Sequence, residues 1–424
     1  MDPREVLVTG YGLVAPTVMN AETLFSKISE KRSCIRQHPV FADLGFAVSA
    51  AGYIEHAQWQ AMAAQVAFDA TTLPRQSLLA EFVARQALQQ AGLVPTDFSR
   101  VASGVFLGAN KHCVSLDLQE ASRHMDATGS VDLDRYLDNH ILVGGPFTRR
   151  LDQQTVHIAR LLGIRDHIST HSDACAAGTM AIGSAFRAIE RGDIDLAVCG
   201  AVELMAHELS YYSFDGLGAI CQRADLAPEH QSRPFMNDRC GFVLGEGAAM
   251  IVLESREHAE RRKVRPIGRV LGYANYCEAQ KITSSSRDGS HYAHCMNAAI
   301  TSAGLDSDAV DHVNTHGTST QANDRSEALA IKRVFGMGLS TMTFTANKSA
   351  IGHSLAASGA IEAVLSLMTL QQGVALPTLN YDPANAEFPE LNFLTEAQQQ
   401  PIKVVLSNSF GFGGVNSSLV LGKI

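Results

Sequence analysis

The chain has 424 residues, of which 46% are hydrophobic and only 18% are charged, and its formal net charge is −9. This composition argues against a disordered chain, which has few hydrophobic residues and a high charge density, and it indicates a large buried core. The negative charge argues against general nucleic-acid binding, which needs a basic surface, and no stretch approaches the roughly 20 apolar residues that cross a membrane.

The first predicted element is a strand at residues 5–9, directly after a short segment with charges of both signs. A signal peptide has a basic start and a longer apolar region, so we expect none here. The eight cysteines include no CxxC pair, and their spacing favours neither a disulfide framework nor a zinc site. We therefore expect free thiols and a reducing, cytoplasmic compartment.

Short β-rich segments alternate with helical ones along the rest of the chain, which is typical of a layered α/β fold. Further strands are predicted at 101–107, 167–170, 195–199, 248–253, 310–315, 342–346 and 404–407. Helices are predicted at 78–91, 176–191, 297–303, 325–335 and 358–371. A basic run at 256–265 is either a solvated connection between two halves or, more commonly, an exposed charged helix end.

One internal repeat surrounds two of the predicted helices. Gly178 and Gly359 are separated by 181 residues, and so are Gly192 and Gly373. Both segments begin with small residues, continue with apolar ones and stop at a glycine suited to a helix C-terminus. Matched glycines are weak support alone, but together with the apolar pattern they predict a duplicated unit.

Cys175 lies between the predicted strand at 167–170 and the predicted helix at 176–191. The unpaired N–H groups and the positive dipole end of a helix stabilise a thiolate, the form that attacks carbonyl groups. Its neighbours at 174 and 176–178 are small and leave room for a substrate. We predict a nucleophile at Cys175 and interpret the other seven cysteines as structural.

Two histidines lie in turns rich in Gly, Ser and Thr at element boundaries, where sites of α/β sheets are commonly found. His316 follows the predicted strand at 310–315, and His353 precedes the second repeated helix. Cys175 and His353 therefore open equivalent helices, which a pseudo-twofold axis could bring together. A lone histidine is usually structural, but two in such turns favour a functional site.

The segment 407–416 places three glycines around Phe412. Glycine permits backbone conformations that other residues resist, so this loop could present an N–H group to an oxyanion while Phe412 acts as a gate. Taken alone, the motif more often forms a tight hairpin with a packed phenylalanine. It lacks both GxGxxG and the GK[ST] ending of a phosphate loop.

These motifs, in this order, resemble those of the elongating β-ketoacyl-acyl carrier protein synthases, condensing enzymes of the thiolase superfamily. The resemblance implies a thiolase-like five-layer αβαβα fold, an α/β fold built of two pseudo-twofold-related halves. We expect the first half at residues 1–255, which contain the nucleophilic cysteine, and the second at 256–424, which contain the two histidines. The matching motifs, each numbered at its first residue, are Val8-Thr-Gly-Tyr-Gly, Asp173-Ala-Cys-Ala-Ala-Gly, Arg233-Pro-Phe, Gly241-Phe-Val-Leu-Gly-Glu-Gly, His316-Gly-Thr-Ser-Thr, Lys348-Ser-Ala-Ile-Gly-His and Ser407-Asn-Ser-Phe-Gly-Phe-Gly-Gly.

The resemblance also implies a role for each site residue. Cys175 accepts the acyl chain, and the N–H groups of Cys175 and Phe412 form the oxyanion hole. His316 and His353 hydrogen-bond the malonyl thioester carbonyl and stabilise the enolate that forms when CO₂ leaves. The implied supporting residues are the buried ion pair of Lys348 and Glu362, and the substrate-binding residues are Thr318, Thr320, Phe410 and Gly411.

The implied reaction is decarboxylative condensation of an acyl chain with a malonyl unit, in fatty-acid or specialised polyketide- or polyene-type biosynthesis. It needs no cofactor and no metal. The implied partners are acyl- and malonyl-loaded acyl carrier protein and a dimer partner, either a second copy or a related subunit.

Two alternatives to an elongating synthase would differ from it in chemistry. A non-catalytic, chain-length-factor-like subunit typically lacks the cysteine that is present here. A thiolase uses a second cysteine near its C-terminus, whereas the last cysteine of this chain is Cys295. Starter-type condensing enzymes have Asn where this chain has His353, which favours elongation.

The chain departs from the family pattern at several positions. Met236 and Cys240 stand where relatives usually have acidic residues, and Val415 replaces a usual threonine. Relatives have a basic cluster that docks an acidic carrier, but here Thr71 and Thr72 precede a single basic residue, Arg75. These departures suggest a dedicated carrier in a specialised pathway. The acyl pocket is expected to close around residues 110–114, Leu217 and Phe412.

Overall fold

Strands and helices alternate along the chain in the computed structural model, which describes residues 3–66, 73–110, 150–280 and 286–424. The strands are β1 (Val6–Val14), β2 (Arg36–Gln37), β3 (Ala50–Gly52), β4 (Ser103–Gly108), β5 (His167–His171), β6 (Leu196–Leu204), β7 (Leu244–Ser255), β8 (Gly268–Cys277), β9 (His312–Asn314), β10 (Thr343–Thr345), β11 (Val374–Ala375), β12 (Gln398–Gln399), β13 (Val404–Gly411) and β14 (Val415–Gly422). The α-helices are α1 (Ala21–Ser29), α2 (Pro39–Asp43), α3 (His56–Ala63), α4 (Arg75–Ala91), α5 (Pro95–Phe98), α6 (Gln153–Leu162), α7 (Ala177–Glu190), α8 (Glu208–Asp215), α9 (Arg256–Arg262), α10 (Ser290–Ser302), α11 (Gln321–Phe335), α12 (Lys348–Ile351) and α13 (Ala356–Gln372).

Ten strands follow one path, in the order β10-β9-β13-β14-β8-β1-β7-β6-β4-β5. In the half that ends at β5, β7 is antiparallel to β1 and β6, while β4 is parallel to β6 and β5. In the half that ends at β10, β14 is antiparallel to β8 and β13, while β9 is parallel to β13 and β10. The two halves repeat the same order and orientations, and antiparallel pairing of β1 with β8 joins them. The predicted duplication into pseudo-twofold-related halves is therefore confirmed.

Apolar residues fill three separate spaces between the layers. One core surrounds α7 and α13 between the two halves of the sheet and includes Ile182 and Ile361. A second core lies between α4, α6 and the first half and includes Val83. A third lies between α10, α11 and the second half and includes Met296 and Ile331. The layer order is therefore αβαβα, as predicted.

Burial on every side explains the sparse charge of the sequence. All nine residues of β1 and all nine of β6 are buried, as expected for strands covered on both faces. In α13 every residue from Ala356 to Leu370 is buried, which is typical of a helix enclosed by protein. Within the described ranges, no helix is both long enough and apolar enough to cross a bilayer.

Glycines allow α7 and α13 to cross at close range near their N-terminal ends. A Cβ atom on Gly178 would lie 2.5 Å from the carbonyl oxygen of Ala356, and one on Gly359 would lie 2.1 Å from Oγ1 of Thr179. These are the two glycines matched in the sequence repeat. Because a side chain at either position would push the helices apart, the glycines set how closely the segments before the two helices approach.

The sequence pattern predicts only part of the observed elements, and the helices that it misses include α1, α3, α6 and α8. The sequence pattern does not predict β8 or β14, because Gly, Asn and Ser interrupt their apolar residues and only pairing with neighbouring strands defines them. The helix predicted at 297–303 is the C-terminal half of α10.

Two cysteines form a disulfide, so the expectation of free thiols throughout is wrong. Cys221 and Cys240 are bonded, with their Cα atoms 4.7 Å apart. Their separation of 19 residues gives no signal in the sequence, because a bridge between Ile220 and Phe242 aligns them only in the folded chain. The free cysteines among the described residues are Cys34, Cys175, Cys199, Cys277 and Cys295, and of these only Cys277 is exposed.

Substituting Gly178 with Ala tests the crossing of α7 and α13. We expect Gly178→Ala to lower the free energy of unfolding by about 1–3 kcal/mol, because the added methyl group meets the backbone of α13. Urea unfolding measures the change. The matched control is Gly338→Ala, where no atom lies within 4 Å of the added carbon. Equal stability of the two variants would contradict the close crossing.

Candidate active site

Cys175 lies in a 3₁₀ turn, Ala174–Ala176, between β5 and α7, which is the boundary the sequence indicated. Its side chain is buried, with 3% of the residue exposed. Ala174 has a φ of +49°, a left-handed conformation that is uncommon for a residue with a side chain. The turn therefore holds the thiol in one direction, at the N-terminal end of α7.

His353 approaches this thiol from the other half of the chain. Its Nε2 atom lies 3.1 Å from Sγ of Cys175. Its Nδ1 atom accepts a hydrogen bond from the backbone N–H of Leu355 at 3.2 Å. Because Nδ1 is an acceptor, the neutral ring has its proton on Nε2, on the side that faces the cysteine.

His316 is held in the same tautomer by a different group. Nζ of Lys348 lies 3.2 Å from Nδ1 of His316 and donates to the backbone carbonyl of His316 at 2.6 Å. An ammonium group only donates hydrogen bonds, so Nδ1 of His316 is an acceptor and Nε2 bears the proton. The ammonium also donates to Oε1 of Glu362 at 2.6 Å. Lys348 and Glu362 thus form the buried pair that the resemblance implies.

The side chains of Cys175, His316 and His353 converge at one point. Sγ of Cys175 and one ring nitrogen each of His316 and His353 all lie within 4.8 Å of one another. The ring centroids of the two histidines are 5.4 Å apart, with the planes at 82°. A thiol and two neutral N–H donors therefore face a common space.

Burial determines the protonation of this site. It lowers the pKa of both His316 and His353 well below the usual value, and the nearby Lys348 ammonium lowers it further. Both rings are therefore neutral at physiological pH.

The helix terminus does not make Cys175 a resting thiolate. Burial raises the pKa of Cys175 to about 12, although Lys348 and two backbone N–H groups act in the opposite direction. Desolvation outweighs the helix terminus because the thiol is enclosed by segments far away in the sequence. The resting side chain is a neutral thiol.

Two backbone N–H groups face the sulfur. They belong to Phe412 and to Cys175 itself, and both lower the pKa of the thiol. Phe412 follows β13 in a turn where Gly413 and Gly414 have φ values of +84° and +72°, which favour glycine. The phenyl ring of Phe412 stacks on Phe214 with centroids 6.2 Å apart.

A cavity of about 410 Å³ leads to these groups. Thr318 and Thr320 line it, and their hydroxyl oxygens are 2.9 Å apart. Phe410 and Gly411 also line it, and Phe410 stacks on Tyr292 with centroids 3.7 Å apart. All ten site residues from the sequence, namely Cys175, His316, Thr318, Thr320, Lys348, His353, Glu362, Phe410, Gly411 and Phe412, lie at this cavity or directly behind it.

Three of the residues expected to close the acyl pocket lie in the described part of the chain. Leu217 and Phe412 line the cavity. Asn110 lies nearby, where its side-chain amide donates to the carbonyl of Ala174 at 2.8 Å. Residues 111–114 lie outside the described part of the chain.

Sequence reasoning missed two buried carboxylates that shape the turn at 316–320. Glu327 accepts from the backbone N–H groups of His316 and Gly317, at 2.8 and 2.9 Å. Asp324 accepts from those of Thr318 and Ser319, at 3.0 and 3.1 Å. The available signal was two acidic residues three positions apart in the first turns of the helix that follows His316.

The structure shows the surroundings of Met236, Cys240 and Arg75, three of the departures from the family pattern. Met236 is buried and accepts from the N–H of Asp382 through sulfur. Cys240 lines the cavity and is bonded to Cys221. Arg75 lies over the Trp59 ring, 5.3 Å from its centroid. Thr71 and Thr72 lie outside the described residues.

The sequence matches the family Beta-ketoacyl synthase, N-terminal domain, over residues 3–259, and the family Beta-ketoacyl synthase, C-terminal domain, over residues 267–382. It is 32% identical over 430 residues to 3-oxoacyl-(acyl-carrier-protein) synthase 2 of Rhizobium meliloti (strain 1021), with 99% of this chain and 98% of the relative covered.

Two solved structures are similar along their full length. One is a type II PKS ketosynthase bound to a hexaketide and in complex with its acyl-carrier protein, with a TM-score of 0.87 and 28% identity over 100% of both chains. The other is the ishigamide ketosynthase/chain length factor, with a TM-score of 0.81 and 28% identity over 100% of both chains.

Replacing Glu327 with Gln tests the buried carboxyl behind His316. Burial raises its pKa to about 7, from 4.5 in an unfolded chain, so the folded protein retains a proton between these pH values that the unfolded chain releases. The stability that this proton contributes is present below pH 4.5 and is lost as the pH rises through 7.

We therefore expect the unfolding free energy of the wild type, relative to Glu327→Gln, to fall by up to about 3 kcal/mol between pH 4.5 and 8. Urea unfolding across this range measures the difference, in which groups common to both proteins cancel. A difference that does not change with pH would contradict the raised pKa.

Proposed function

We propose that this chain, which belongs to the β-ketoacyl synthase family, is an acyltransferase that condenses an acyl group on Cys175 with a malonyl unit and releases CO₂. The observation that supports this proposal most strongly is the meeting of one buried thiol with two neutral Nε2–H donors at the end of a cavity. Carbanion chemistry needs hydrogen-bond donors at the oxygen where negative charge develops.

In the first step, Sγ of Cys175 attacks the thioester carbonyl of an acyl chain on a carrier protein. The carbonyl oxygen becomes negative and accepts hydrogen bonds from the N–H groups of Cys175 and Phe412. When the intermediate collapses, the carbon–sulfur bond to the carrier breaks. The carrier thiol leaves with the proton that the cysteine gave up, and the acyl group stays on Cys175.

In the second step, a malonyl thioester enters the same cavity. Its thioester oxygen accepts from Nε2 of His316 and of His353, so the carbon–carbon bond to the carboxylate breaks to give CO₂ and an enolate. The enolate carbon attacks the acyl carbonyl on Cys175. The sulfur leaves and takes up one proton from solvent water, and the product is a β-ketoacyl thioester that is two carbons longer.

The remaining site residues act through position and binding. Lys348, paired with Glu362, keeps Nδ1 of His316 as an acceptor and therefore Nε2 as a donor. We assign the pantetheine arm of the carrier to the wall of the cavity that is formed by Thr318, Thr320, Phe410 and Gly411.

The partner that we propose is an acyl carrier protein, as the names of the relatives indicate for those proteins. Since Cys240, which lines the cavity, and the buried Met236 stand where relatives usually have acidic residues, we propose a dedicated carrier in a specialised fatty-acid or polyketide pathway. Five of the seven described cysteines are free, which supports a cytoplasmic location, where the Cys221–Cys240 pair is reduced. We also propose 1–255 and 256–424 as the two halves, since β7 ends at Ser255 and β8 begins at Gly268.

We propose a dimer in which β5 pairs with the same strand of a second copy or of a related subunit. β5 is a terminal strand of the sheet, and its Ile168 is 49% exposed. The opposite terminal strand, β10, is completely buried. An exposed edge with an apolar side chain is a ready template for pairing.

Two substitutions separate the proposed steps. Cys175→Ala should abolish the mass gain when the protein is mixed with acyl-carrier thioester. His316→Ala should still become acylated, but decarboxylation of malonyl-carrier should fall at least about 100-fold, because one donor to the enolate is lost. Intact-protein mass spectrometry and CO₂ release measure the two steps.

The matched controls are Cys277→Ala and His56→Ala, since both residues are exposed and neither lines the cavity. No mass gain in the wild type would favour the non-catalytic, chain-length-factor-like alternative. Normal condensation by acylated His316→Ala would contradict the role of that histidine. Equal rates with the dedicated carrier and with the host's general fatty-acid carrier would contradict the specialised role.

Substituting Ile168 tests the dimer. Ile168→Asp places two carboxylates near each other across the proposed strand pair, so we expect the dissociation constant of the dimer to rise at least about 10-fold. Analytical ultracentrifugation measures it. Met337→Asp, at a position that is 96% exposed and precedes the opposite terminal strand β10, serves as the control. Unchanged association of Ile168→Asp would contradict pairing through β5.

A further inference from the structure

The disulfide of Cys221 and Cys240 lies in the wall of the catalytic cavity. Cys240 lines the cavity, whereas Cys221 is 1% exposed and lies behind it. The bond closes a loop between residues that are 19 apart in the sequence. None of the steps proposed for catalysis uses either sulfur.

The bond joins two segments that both face the substrate. Leu217, Gly218 and Ala219 line the cavity on one side of it, and Cys240, Gly241 and Phe242 line it on the other. Two backbone hydrogen bonds already connect these segments, from the N–H of Cys221 to the carbonyl of Phe242 at 2.9 Å and from the N–H of Phe242 to that of Ala219 at 3.0 Å. The disulfide adds a covalent link beside this short bridge.

The same wall contacts the reacting groups and the threonine turn. The Phe242 ring lies 5.2 Å from the His353 ring and 5.3 Å from Phe214, on which Phe412 stacks. The N–H of Gly241 donates to the carbonyl of Ser319, between the two threonines of the cavity, at 2.9 Å. If residues 240–242 became more mobile, the threonine turn that we assign to the pantetheine arm and the ring of Phe412 would therefore also be held less firmly.

We propose that Cys221 and Cys240 form a redox-controlled positioning pair that fixes the cavity wall for the pantetheine arm. The proposal rests on the proposed function, since it concerns the same cavity. Reduction by a dithiol transfers two electrons and two protons: the bond between the sulfurs breaks, two thiols form, and the dithiol becomes a disulfide. In a reducing compartment the pair is open, and a small-molecule disulfide closes it by accepting the two electrons and two protons and becoming two thiols.

The physical effect of the bond is preorganisation. A cross-link restricts the freedom of the segment between its ends, here residues 222–239 together with the wall residues on either side. When the bond opens, the substrate arm must order the wall as it binds, and this cost weakens binding. The reacting atoms are held by other contacts, namely those of Lys348 and Leu355 to the histidines. The redox state therefore changes KM for the carrier substrate more than kcat.

The first experiment compares oxidised and dithiothreitol-reduced wild-type enzyme in condensation with a carrier-bound substrate. Thiol titration confirms the two states, because the oxidised protein has two fewer titratable thiols. We expect KM for the carrier substrate to rise roughly threefold to tenfold on reduction, with little change in kcat. An equal KM in both states, or an equal thiol count after oxidation, would overturn the proposal.

Variants show whether the Cys221–Cys240 pair causes the rise in KM on reduction. The double variant Cys221→Ser/Cys240→Ser should have the KM of the reduced enzyme in both conditions. Cys277→Ser, which changes the exposed free cysteine, should respond to reduction as the wild type does. Loss of the response in Cys277→Ser, or its persistence in the double variant, would contradict the assignment.

A second measurement distinguishes failure of this proposal from failure of the proposed function. The alkylation rate of Cys175 is measured with a pantetheine-linked chloroacetamide and with iodoacetamide, in the oxidised wild type and in the double variant, and the modified peptide is identified by mass. We expect the double variant to react more slowly with the pantetheine-linked reagent relative to iodoacetamide.

Absence of condensation in every redox state, together with this difference in alkylation, would overturn the proposed function and leave the positioning pair supported. An unchanged ratio of the two alkylation rates would overturn the positioning pair, whatever the condensation activity.

Discussion

The close crossing of α7 and α13 is the constraint on which the site depends. Gly178 and Gly359 leave no space for a Cβ atom between the two helices, so the segments that precede them come together. One segment contains Cys175 and the other contains His353, 178 residues later, and their reacting atoms lie 3.1 Å apart. The site therefore exists only when both halves of the duplicated fold are packed, because neither half contains the complete set of groups.

Burial then determines what these groups can do. It keeps both histidines neutral and raises the pKa of Cys175 to about 12, so the resting site contains a thiol and two N–H donors and not an ion pair of thiolate and imidazolium. Lys348 carries its charge beside them and donates to Glu362, whose pKa burial raises to about 7. Because this pair lies behind His316, Nδ1 of the ring accepts and Nε2 bears the proton. A ring in this state donates a hydrogen bond to an enolate oxygen and does not act as a proton acceptor at Nε2.

Local signals in the sequence were sufficient to predict which three side chains meet at the cavity. Cys175, His316 and His353 each lie among small or polar residues at an element boundary, and the glycine repeat indicated that two of them are equivalent. The protonation of Cys175 could not be predicted in this way, because its desolvation arises from β13 and α13, far along the chain. β14 was not apparent because its polar Asn and Ser residues are buried by pairing, and the Cys221–Cys240 bond was not apparent because only the folded chain aligns residues 19 apart.

The central claim is that two neutral histidines present Nε2–H groups to one buried thiol. Nitrogen NMR of protein labelled at histidine measures it directly, since protonated and unprotonated ring nitrogens have distinct shifts. The account predicts that His316 and His353 both have a proton on Nε2 and none on Nδ1, without change between pH 6 and 8. A proton on Nδ1 of either ring, or titration of either ring to the imidazolium within this range, would contradict it.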